Sequence, residues 1–115
     1  MVNKWDICFC SLDPTQGSEQ RGTRPVLIIS NDAVNHSLPV CTVIPLSSLQ
    51  KGDKIYPTEI KLPSSATGLQ KESVAMMQQI RTVAHTRLHP AVGRLVDEHL
   101  REKVRECIRM YFEVY

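Results

Sequence analysis

The sequence predicts a small, mainly β domain in which a strongly curved sheet packs against one C-terminal helix. Short runs rich in β-branched, aromatic and cysteine residues recur along most of the chain, and turn-forming residues separate them. From Asp97 onward the apolar residues recur at three- and four-residue steps with charges between them, as in an amphipathic helix. The 115 residues suffice for one compact core, so residues 1–115 are expected to form a single domain. Several short strands followed by one helix indicate a small β-barrel with helical additions.

Three strands are predicted in the first half of the chain. Trp5–Leu12 is rich in aromatic, isoleucine and cysteine residues and stops at the turn-forming pair Asp13-Pro14. Pro25–Ser30 is a continuous β-branched run, which is typical of a strand covered on both faces. Val40–Leu46 reads as a further strand, and Pro45 near its end indicates an edge position or a bulge.

The second half contains two more predicted strands. Thr58–Leu62 alternates polar and apolar residues like a half-buried strand, and Pro63–Gly68 follows as a turn. Ser73–Val83 has two apolar patches around the pair Gln78-Gln79, which predicts one long or bulged strand. Asn31–His36 is expected to be a turn or a short helical piece.

The C-terminal helix is predicted to begin at Asp97, a plausible N-cap residue, after Gly93 marks the break from the strand region. Its apolar stripe consists of Leu100, Val104, Cys107, Ile108, Tyr111 and Phe112.

The charge of the chain excludes a protein that coats duplex DNA, because the formal net charge is only +2. Residues 59–94 nevertheless carry an excess of positive charge, which makes this stretch the better candidate for a local nucleic-acid face, although ordinary charge scatter gives the same pattern. Its charged residues are the cations Lys61, Lys71, Arg81, Arg87 and Arg94 and the anions Glu59 and Glu72.

The cysteines and histidines predict neither disulfides nor a metal site. No recognisable secretory leader precedes the four cysteines, so reduced thiols in a cytoplasmic protein are expected. Cys8 and Cys10 share one strand face, and Cys107 falls on the helical stripe, as small core residues would. No C-x-x-C pair occurs, and the four histidines are scattered along the chain, so no metal or other cofactor is implied. The apolar runs are too short to cross a bilayer, and no membrane partner is expected.

The most informative segment joins a polar loop to a buried strand at a single arginine. Residues 14–23 have almost no apolar side chains and are predicted to form a long mobile loop. Arg24 follows, and Pro25 holds it in an extended conformation at the start of the strand. A guanidinium on such a stiff support suits a phosphate, because it offers a planar fork of donors and a permanent charge. A surface charge or a structural ion pair is the open alternative.

Side chains near Arg24 could complete a site for phosphodiester cleavage. Glu19 on the loop could take the proton of a ribose 2′-hydroxyl, and Gln20 could bind a base edge or a phosphate. A solvated loop is the open alternative for both residues. The hydroxyls of Ser47 and Ser48 leave a strand end and could donate to a phosphate.

Gln79 and Arg81 form a further polar pair, because they share one face of the predicted Ser73–Val83 strand. They could also contact RNA. The alternative for Gln79 is an inward-facing amide whose hydrogen bonds are satisfied within the core.

The order and spacing of several motifs resemble the MazF/PemK/Kid family of toxins. The resemblance spans nearly the whole chain, and its most specific part is the Gly-Ser-Glu-Gln loop that leads to Arg-Pro. The matching fragments are Ser11-Leu12-Asp13-Pro14-Thr15, Gly17-Ser18-Glu19-Gln20, Arg24-Pro25-Val26-Leu27-Ile28-Ile29-Ser30-Asn31-Asp32, Pro45-Leu46-Ser47, Gly68-Leu69, Ser73-Val74 and Gln79-Ile80-Arg81-Thr82.

The resemblance implies an SH3-like barrel with a C-terminal helix that assembles as a homodimer. It further implies the toxin of a type II toxin–antitoxin system: a metal-independent endoribonuclease that binds single-stranded RNA, mainly mRNA, across the dimer groove. Attack by the 2′-hydroxyl would leave a 2′,3′-cyclic phosphate and a 5′-hydroxyl. The cognate antitoxin, of the MazE kind, would occupy the same groove with its extended C-terminal tail.

Carried over to this chain, the resemblance assigns catalytic roles to Arg24, Ser47 and Glu19. Arg24 matches the family's active arginine, and Ser47 matches a threonine that contacts the scissile phosphate, so that the hydroxyl is kept and a methyl is lost. The predicted RNA-binding residues are Ser18, Gln20, Arg21, Asn31, Ser48, Gln79 and Arg81.

The chain departs from the family at two further places. The usual Arg-Gly-Asp opening is Lys4-Trp5-Asp6 here, and Trp5 is expected to stack on a base, to lie at the dimer contact or to pack in the core. The branch that resembles Kid uses an arginine and an aspartate where this chain has Met76 and Gln78, so that second acid–base scheme is absent.

Two other functions fit the same predicted barrel. A non-enzymatic gyrase poison of the CcdB kind is less similar, because that family's Trp-Gly-Ile ending is missing and no tryptophan follows Trp5. A catalytically silent module that binds RNA or protein is the third possibility, which the serine at position 47 and the Lys4-Trp5 opening keep open.

Overall fold

A computed structural model describes all 115 residues and contains seven strands and three α-helices. The strands are β1 (Asp6–Ser11), β2 (Thr23–Ile28), β3 (Val40–Ser48), β4 (Glu59–Leu62), β5 (Ser73–Met76), β6 (Arg81–Ala84) and β7 (Leu88–Arg94). The helices are α1 (Asp32–Asn35), α2 (Ser64–Thr67) and α3 (Glu98–Phe112), and Met77–Gln79 and His85–Arg87 form 3-10 turns. The predicted fold class, a mainly β domain with a C-terminal helix, is confirmed.

β3 is the central strand of an antiparallel sheet with the order β4-β5-β3-β2-β1-β7. Its first half, Val40–Val43, pairs with β6, and its last residues, Leu46–Ser48, pair with β5, while β2 covers its other edge. Pro45 lies between these two partners. Pro45 therefore lies in a central strand, and the predicted edge position or bulge is wrong. The missing N–H of proline is tolerated here because β3 changes its neighbour at this residue.

The single strand predicted over Ser73–Val83 is wrong, because this segment forms two strands on different parts of β3. The 3-10 turn between them is fixed by Met77 N–H, which donates to Thr58 O at 3.0 Å, and by Ile80 N–H, which donates to Met77 O at 3.0 Å. The apolar patches on either side of the turn do form strands, as predicted. The pattern of residues alone does not show that these strands pair with different parts of β3.

β7 was not predicted, and Gly93 lies inside it instead of marking the end of the strand region. The segment contains Pro90 and Gly93 and is largely exposed, features that argue against a central strand. It pairs only with β1, with two shifts in register, so it occupies an edge position where both residues are tolerated.

Buried side chains form two apolar clusters, as alternation along the strands requires. The larger includes Ile7, Leu27 and Leu46 from the sheet, together with Val104 of α3. The smaller contains Cys8, Cys10, Leu12, Val26, Ile28, Cys41, Val43 and Val83. All four cysteines are free and buried, which confirms their reading as small core residues. Burial raises the pKa of the Cys8 and Cys41 thiols to about 11.

α3 begins as predicted and diverges at its end. The Asp97 carboxylate accepts a hydrogen bond from Leu100 N–H at 3.0 Å and caps the helix, and Val104 and Cys107 are buried beneath it. Tyr111 and Phe112, in contrast, are 39% and 50% exposed and contact each other edge-to-face. The predicted apolar stripe therefore packs on the sheet only along the first three turns of the helix.

Trp5 packs in the core, which leaves its indole unavailable for stacking on a base. Its side chain is 5% exposed and lies beneath the guanidinium groups of Arg101 and Arg105, at 5.2 and 5.4 Å from the ring centre. The backbone at Trp5 has a φ of 78°, a left-handed conformation that favours glycine and that a tryptophan rarely adopts.

Candidate functional site

Arg24 lies at the start of β2, directly after the polar loop, and forms no ion pair. Its Nε donates to the backbone carbonyl of Arg21 at 3.1 Å. The ion pairs of this protein lie elsewhere; for example, Asp6 binds Arg94 at 3.1 Å, and Glu102 binds two arginines of α3. The Arg24 guanidinium thus keeps a charge that no carboxylate neutralises, which is the state that binding an anion requires.

A cavity of about 540 Å³ opens beside Arg24. It combines a second cation, Lys71, with the hydroxyl-bearing Ser48 and Ser73 and with the ring of Phe9, which is 36% exposed. The remaining lining residues are Pro25, Leu46, Gly68, Leu69, Gln70 and Val92. Two cations, hydroxyl donors and an aromatic face match what a nucleotide presents: a phosphate, a sugar and a base.

The two serines at the end of β3 lie on different surfaces. Ser48 lines the cavity of Arg24, whereas Ser47 lines an adjoining depression with Val74 and Met76, which Ser48 also borders. The pairing of β2 with β3 places Val26 opposite Pro45. This pairing ends at Val26 and Pro45, two residues before Arg24 and Ser47 would face each other. Ser48 therefore shares a cavity with Arg24, whereas Ser47 borders only the adjoining depression.

Glu19 and Gln20 line a separate, small cavity of about 130 Å³ against the turn Met77–Gln79. Glu19 is exposed, and its carboxylate accepts a hydrogen bond from Gln16 N–H at 2.6 Å. The side-chain oxygen of Gln20 is buried and has no hydrogen-bond partner. Pro45, Gln79 and Arg81 complete the wall, so this cavity adjoins β3 at the point where it changes partner.

Side chains from the β6 region anchor the loop between β1 and β2, residues 12–22. The sequence predicts residues 14–23 to be mobile. Gln79 bonds to the backbone of Ser18 and Gln20. Arg81 donates to Leu12 O at 3.0 Å, and Arg87 donates to Ser11 O at 3.2 Å and to Asp13 O. The segment contains no helix or strand, as predicted, but contacts with distant parts of the chain hold its backbone.

Of the other predicted RNA-binding residues, Arg21 and Ser18 lie in the loop before β2, and Asn31 lies away from the cavities. Arg21 donates from Nη2 to Gly17 O at 3.0 Å, within the loop, and the carbonyl of Ser18 accepts from Gln79. Asn31 caps α1 by accepting from Val34 N–H at 3.0 Å and lines none of the cavities described above.

The positive stretch 59–94 does not form one face. Arg94 is paired with Asp6, and Lys61 lies 3.9 Å from Glu72. Arg81 and Arg87 hold the loop, and only Lys71 lines the Arg24 cavity. The charge excess therefore separates into structural ion pairs, loop anchors and one cation of the candidate site.

Phe9, Lys71 and Arg87 belong to the site region but were not singled out as site residues from the sequence. The sequence gives a reason to consider Lys71, because this residue lies in the positive stretch 59–94. Phe9 had none, since it sits in a strand whose alternation predicts a core residue.

The structure has neither a metal cluster nor a helix that could span a membrane. No group of three or more histidine, cysteine or acidic side chains is arranged to hold a metal ion. None of the helices has both the length and the apolar character needed to cross a bilayer.

Comparisons with known proteins match the sequence of this chain to one family. The family model of the PemK-like, MazF-like toxin of type II toxin–antitoxin systems matches residues 3–112. Endoribonuclease EndoA of Bacillus subtilis (strain 168) is 34% identical over 110 residues, which cover 96% of this chain and 93% of the relative.

Two solved structures share the fold. MazF from Deinococcus radiodurans has a TM-score of 0.81 at 22% identity and covers 98% of this chain and 97% of its own. An endoribonuclease in complex with its cognate antitoxin, from a mycobacterial species, has a TM-score of 0.79 at 18% identity, with 100% and 98% covered. The breadth of the family match and the identity to EndoA together show that the chain belongs to the PemK-like, MazF-like family of type II toxins.

Proposed function

We propose that this chain is the toxin of a type II toxin–antitoxin pair and acts as a metal-independent endoribonuclease on single-stranded RNA. The observation that carries the proposal is Arg24, an arginine without a carboxylate partner, placed at the start of a rigid strand beside a cavity with hydroxyl donors. The relative named EndoA is an endoribonuclease, which supports the same reaction here. The proposed place of action is the cytoplasm, where mRNA is found.

The proposed reaction is attack of a ribose 2′-oxygen on the adjacent phosphorus. The O2′–P bond forms and the P–O5′ bond breaks, which leaves a 2′,3′-cyclic phosphate and a 5′-hydroxyl. Negative charge grows on the non-bridging oxygens as the fifth bond forms, and the Arg24 fork stabilises it through two donors. Ser48, which lines the cavity of Arg24, is one proposed donor to the phosphate, and Ser47 would donate from the adjoining depression that Ser48 also borders.

Glu19 is the proposed acceptor of the 2′-hydroxyl proton. It is exposed on the loop that leads to Arg24, and its carboxylate is held by Gln16 N–H at 2.6 Å. The leaving 5′-oxygen takes its proton from solvent. An arginine side chain stays protonated in proteins, so Arg24 contributes charge and not proton transfer.

Bound RNA would follow the line of adjoining surfaces along β3. Lys71 would meet a neighbouring phosphate, and Phe9 offers a face for a base. The unpartnered oxygen of Gln20 would accept a hydrogen bond from a base edge in the small cavity. Unstacked bases are available only in single strands, so these contacts favour single-stranded RNA. The small net charge of the protein also argues against a duplex bound through many phosphate contacts.

A homodimer and an antitoxin partner complete the proposal. Exposed apolar side chains on the sheet and at the end of α3 offer area for association: Phe9, Val92, Met110, Tyr111 and Phe112. A structural relative is described in complex with its cognate antitoxin, which supports an antitoxin here whose extended C-terminal tail blocks the RNA surface.

Cleavage in the presence of a chelator tests the proposed reaction. We expect purified protein to cut a long single-stranded RNA of mixed sequence at defined sites in EDTA, at the same rate as with added Mg²⁺. Cleavage that depends on Mg²⁺ would contradict the mechanism. Tight binding of RNA without cleavage would favour the silent binding module, and inhibition of gyrase supercoiling without RNA cleavage would favour the gyrase poison.

A further inference from the structure

A side chain outside the loop fixes the backbone on both sides of Glu19. The Gln79 carbonyl oxygen accepts a hydrogen bond from Gln20 N–H at 3.2 Å, and its Nε2 donates to Ser18 O at 3.1 Å. The amide therefore bridges the two neighbours of Glu19. Gln79 itself ends the turn Met77–Gln79, which is attached to the sheet through the bond from Met77 N–H to Thr58 O.

Glu19 depends on this bridge, because its own hydrogen bonds remain within the loop. Its N–H donates to Gln16 O at 3.1 Å, and its carboxylate accepts from Gln16 N–H. These bonds shape the loop but do not place it relative to the sheet. Leu12 and Asp13, at the start of the loop, are held by Arg81 and Arg87, but Gln79 is the side chain that holds its middle.

We propose that Gln79 is a positioning residue, which holds Glu19 and Gln20 in place relative to Arg24 without itself contacting RNA. This inference rests on the proposed function. It replaces the RNA-binding role expected from the sequence, because the carbonyl and one N–H of the Gln79 amide are already engaged by the loop. Small errors in the placement of a catalytic group reduce the rate of reaction far more than the affinity for substrate.

Replacement of Gln79 by alanine separates positioning from binding. In Gln79→Ala we expect the backbone amide of Gln20 to exchange its hydrogen about tenfold faster in the free protein, because its acceptor is lost. At saturating RNA we expect kcat to fall by about tenfold or more, while affinity for an RNA blocked by 2′-methoxy groups stays within about threefold. Circular dichroism confirms that the variant is folded.

Gln78→Ala is the matched control for the exchange measurement. Gln78 is the same residue type in the same turn, but its amide accepts from the Thr58 hydroxyl at 2.8 Å and donates to Glu59 at 3.2 Å. Its loss should leave the exchange rate of the Gln20 amide unchanged.

A conservative variant adds a pH readout. Gln79→Glu keeps the acceptor for Gln20 N–H, but an ionised carboxylate cannot donate to Ser18 O. Protonation restores that donor, so the activity of Gln79→Glu relative to wild type should rise as the pH falls from about 7 toward 5, near the range where glutamate titrates. A ratio that is flat with pH would contradict the assigned donor.

The outcomes distinguish this inference from the proposed function. If Gln79→Ala weakens RNA binding as much as it lowers cleavage and leaves the exchange rate unchanged, Gln79 is a direct RNA ligand and the inference is overturned. Unchanged cleavage by Gln79→Ala overturns it as well. If the wild-type protein cuts no RNA, the proposed function is wrong. The exchange rates are measured without RNA, so they still decide whether Gln79 anchors the loop.

Discussion

Arg24→Ala is expected to lower the rate of RNA cleavage by about a thousandfold, which corresponds to about 4 kcal/mol of transition-state stabilisation. The guanidinium is the one fork of donors in the candidate site, and no carboxylate shares its charge. Single-turnover cleavage of a labelled RNA measures the loss. Because the charge matters most in the transition state, affinity for an uncleavable RNA should fall much less than the rate.

Two further variants sharpen this prediction. Arg24→Lys keeps the charge but loses the planar fork, so it should recover only part of the rate. Arg109→Ala removes an arginine of α3 that is paired with Glu102, and it should leave cleavage unchanged. Equal losses in Arg24→Ala and Arg109→Ala would show that overall charge matters and that the position of Arg24 does not.

Gly93→Ala is expected to destabilise the fold by about 3 kcal/mol, because the added methyl group has no room. A Cβ at Gly93 would lie 1.9 Å from the carbonyl oxygen of Thr67, a backbone atom of α2. Neither β7 nor α2 can move away cheaply, since Gly68, the next residue after α2, is also packed against β7: a Cβ there would meet Val92 O at 2.9 Å. Thermal unfolding should show a midpoint lowered by about 15 °C.

Val92→Ala provides the control for this measurement. Val92 is the neighbour of Gly93 in β7 and is 47% exposed, so its truncation should cost less than about 1 kcal/mol. A Gly93→Ala protein that melts with the wild type would mean that β7 and α2 are not in the contact described.

Sequence periodicity predicts an element well where the same pattern of apolar residues continues along its whole length. The β-branched run at Pro25–Ser30 and the three- and four-residue steps after Asp97 correspond to β2 and α3. The change of partner along β3 could not be predicted, because Pro45 disfavours a central strand in general and only the tertiary arrangement supplies two different neighbours. β7 was missed for the same reason, since an edge position tolerates proline and glycine.

A residue of the candidate site could be predicted where its neighbours in the sequence determine its backbone conformation. Arg24 could be found because a proline follows it and a polar loop precedes it. Phe9 could not, because it reaches the cavity through the pairing of β1 with β2. The engagement of Gln79 and Arg81 with loop backbone atoms was equally hidden, since their partners lie more than fifty residues earlier in the chain.

The nature of the attacking group is tested most directly with an RNA that carries one 2′-deoxyribonucleotide on the 5′ side of a mapped cut site. In EDTA, we expect no cleavage at that position, whereas the all-ribose RNA is cut there and yields a 2′,3′-cyclic phosphate and a 5′-hydroxyl. If the 2′-deoxy RNA is cut at the same rate, or if the products carry a 5′-phosphate and a 3′-hydroxyl, the nucleophile is water and the role assigned to Arg24 at a cyclising phosphate is wrong.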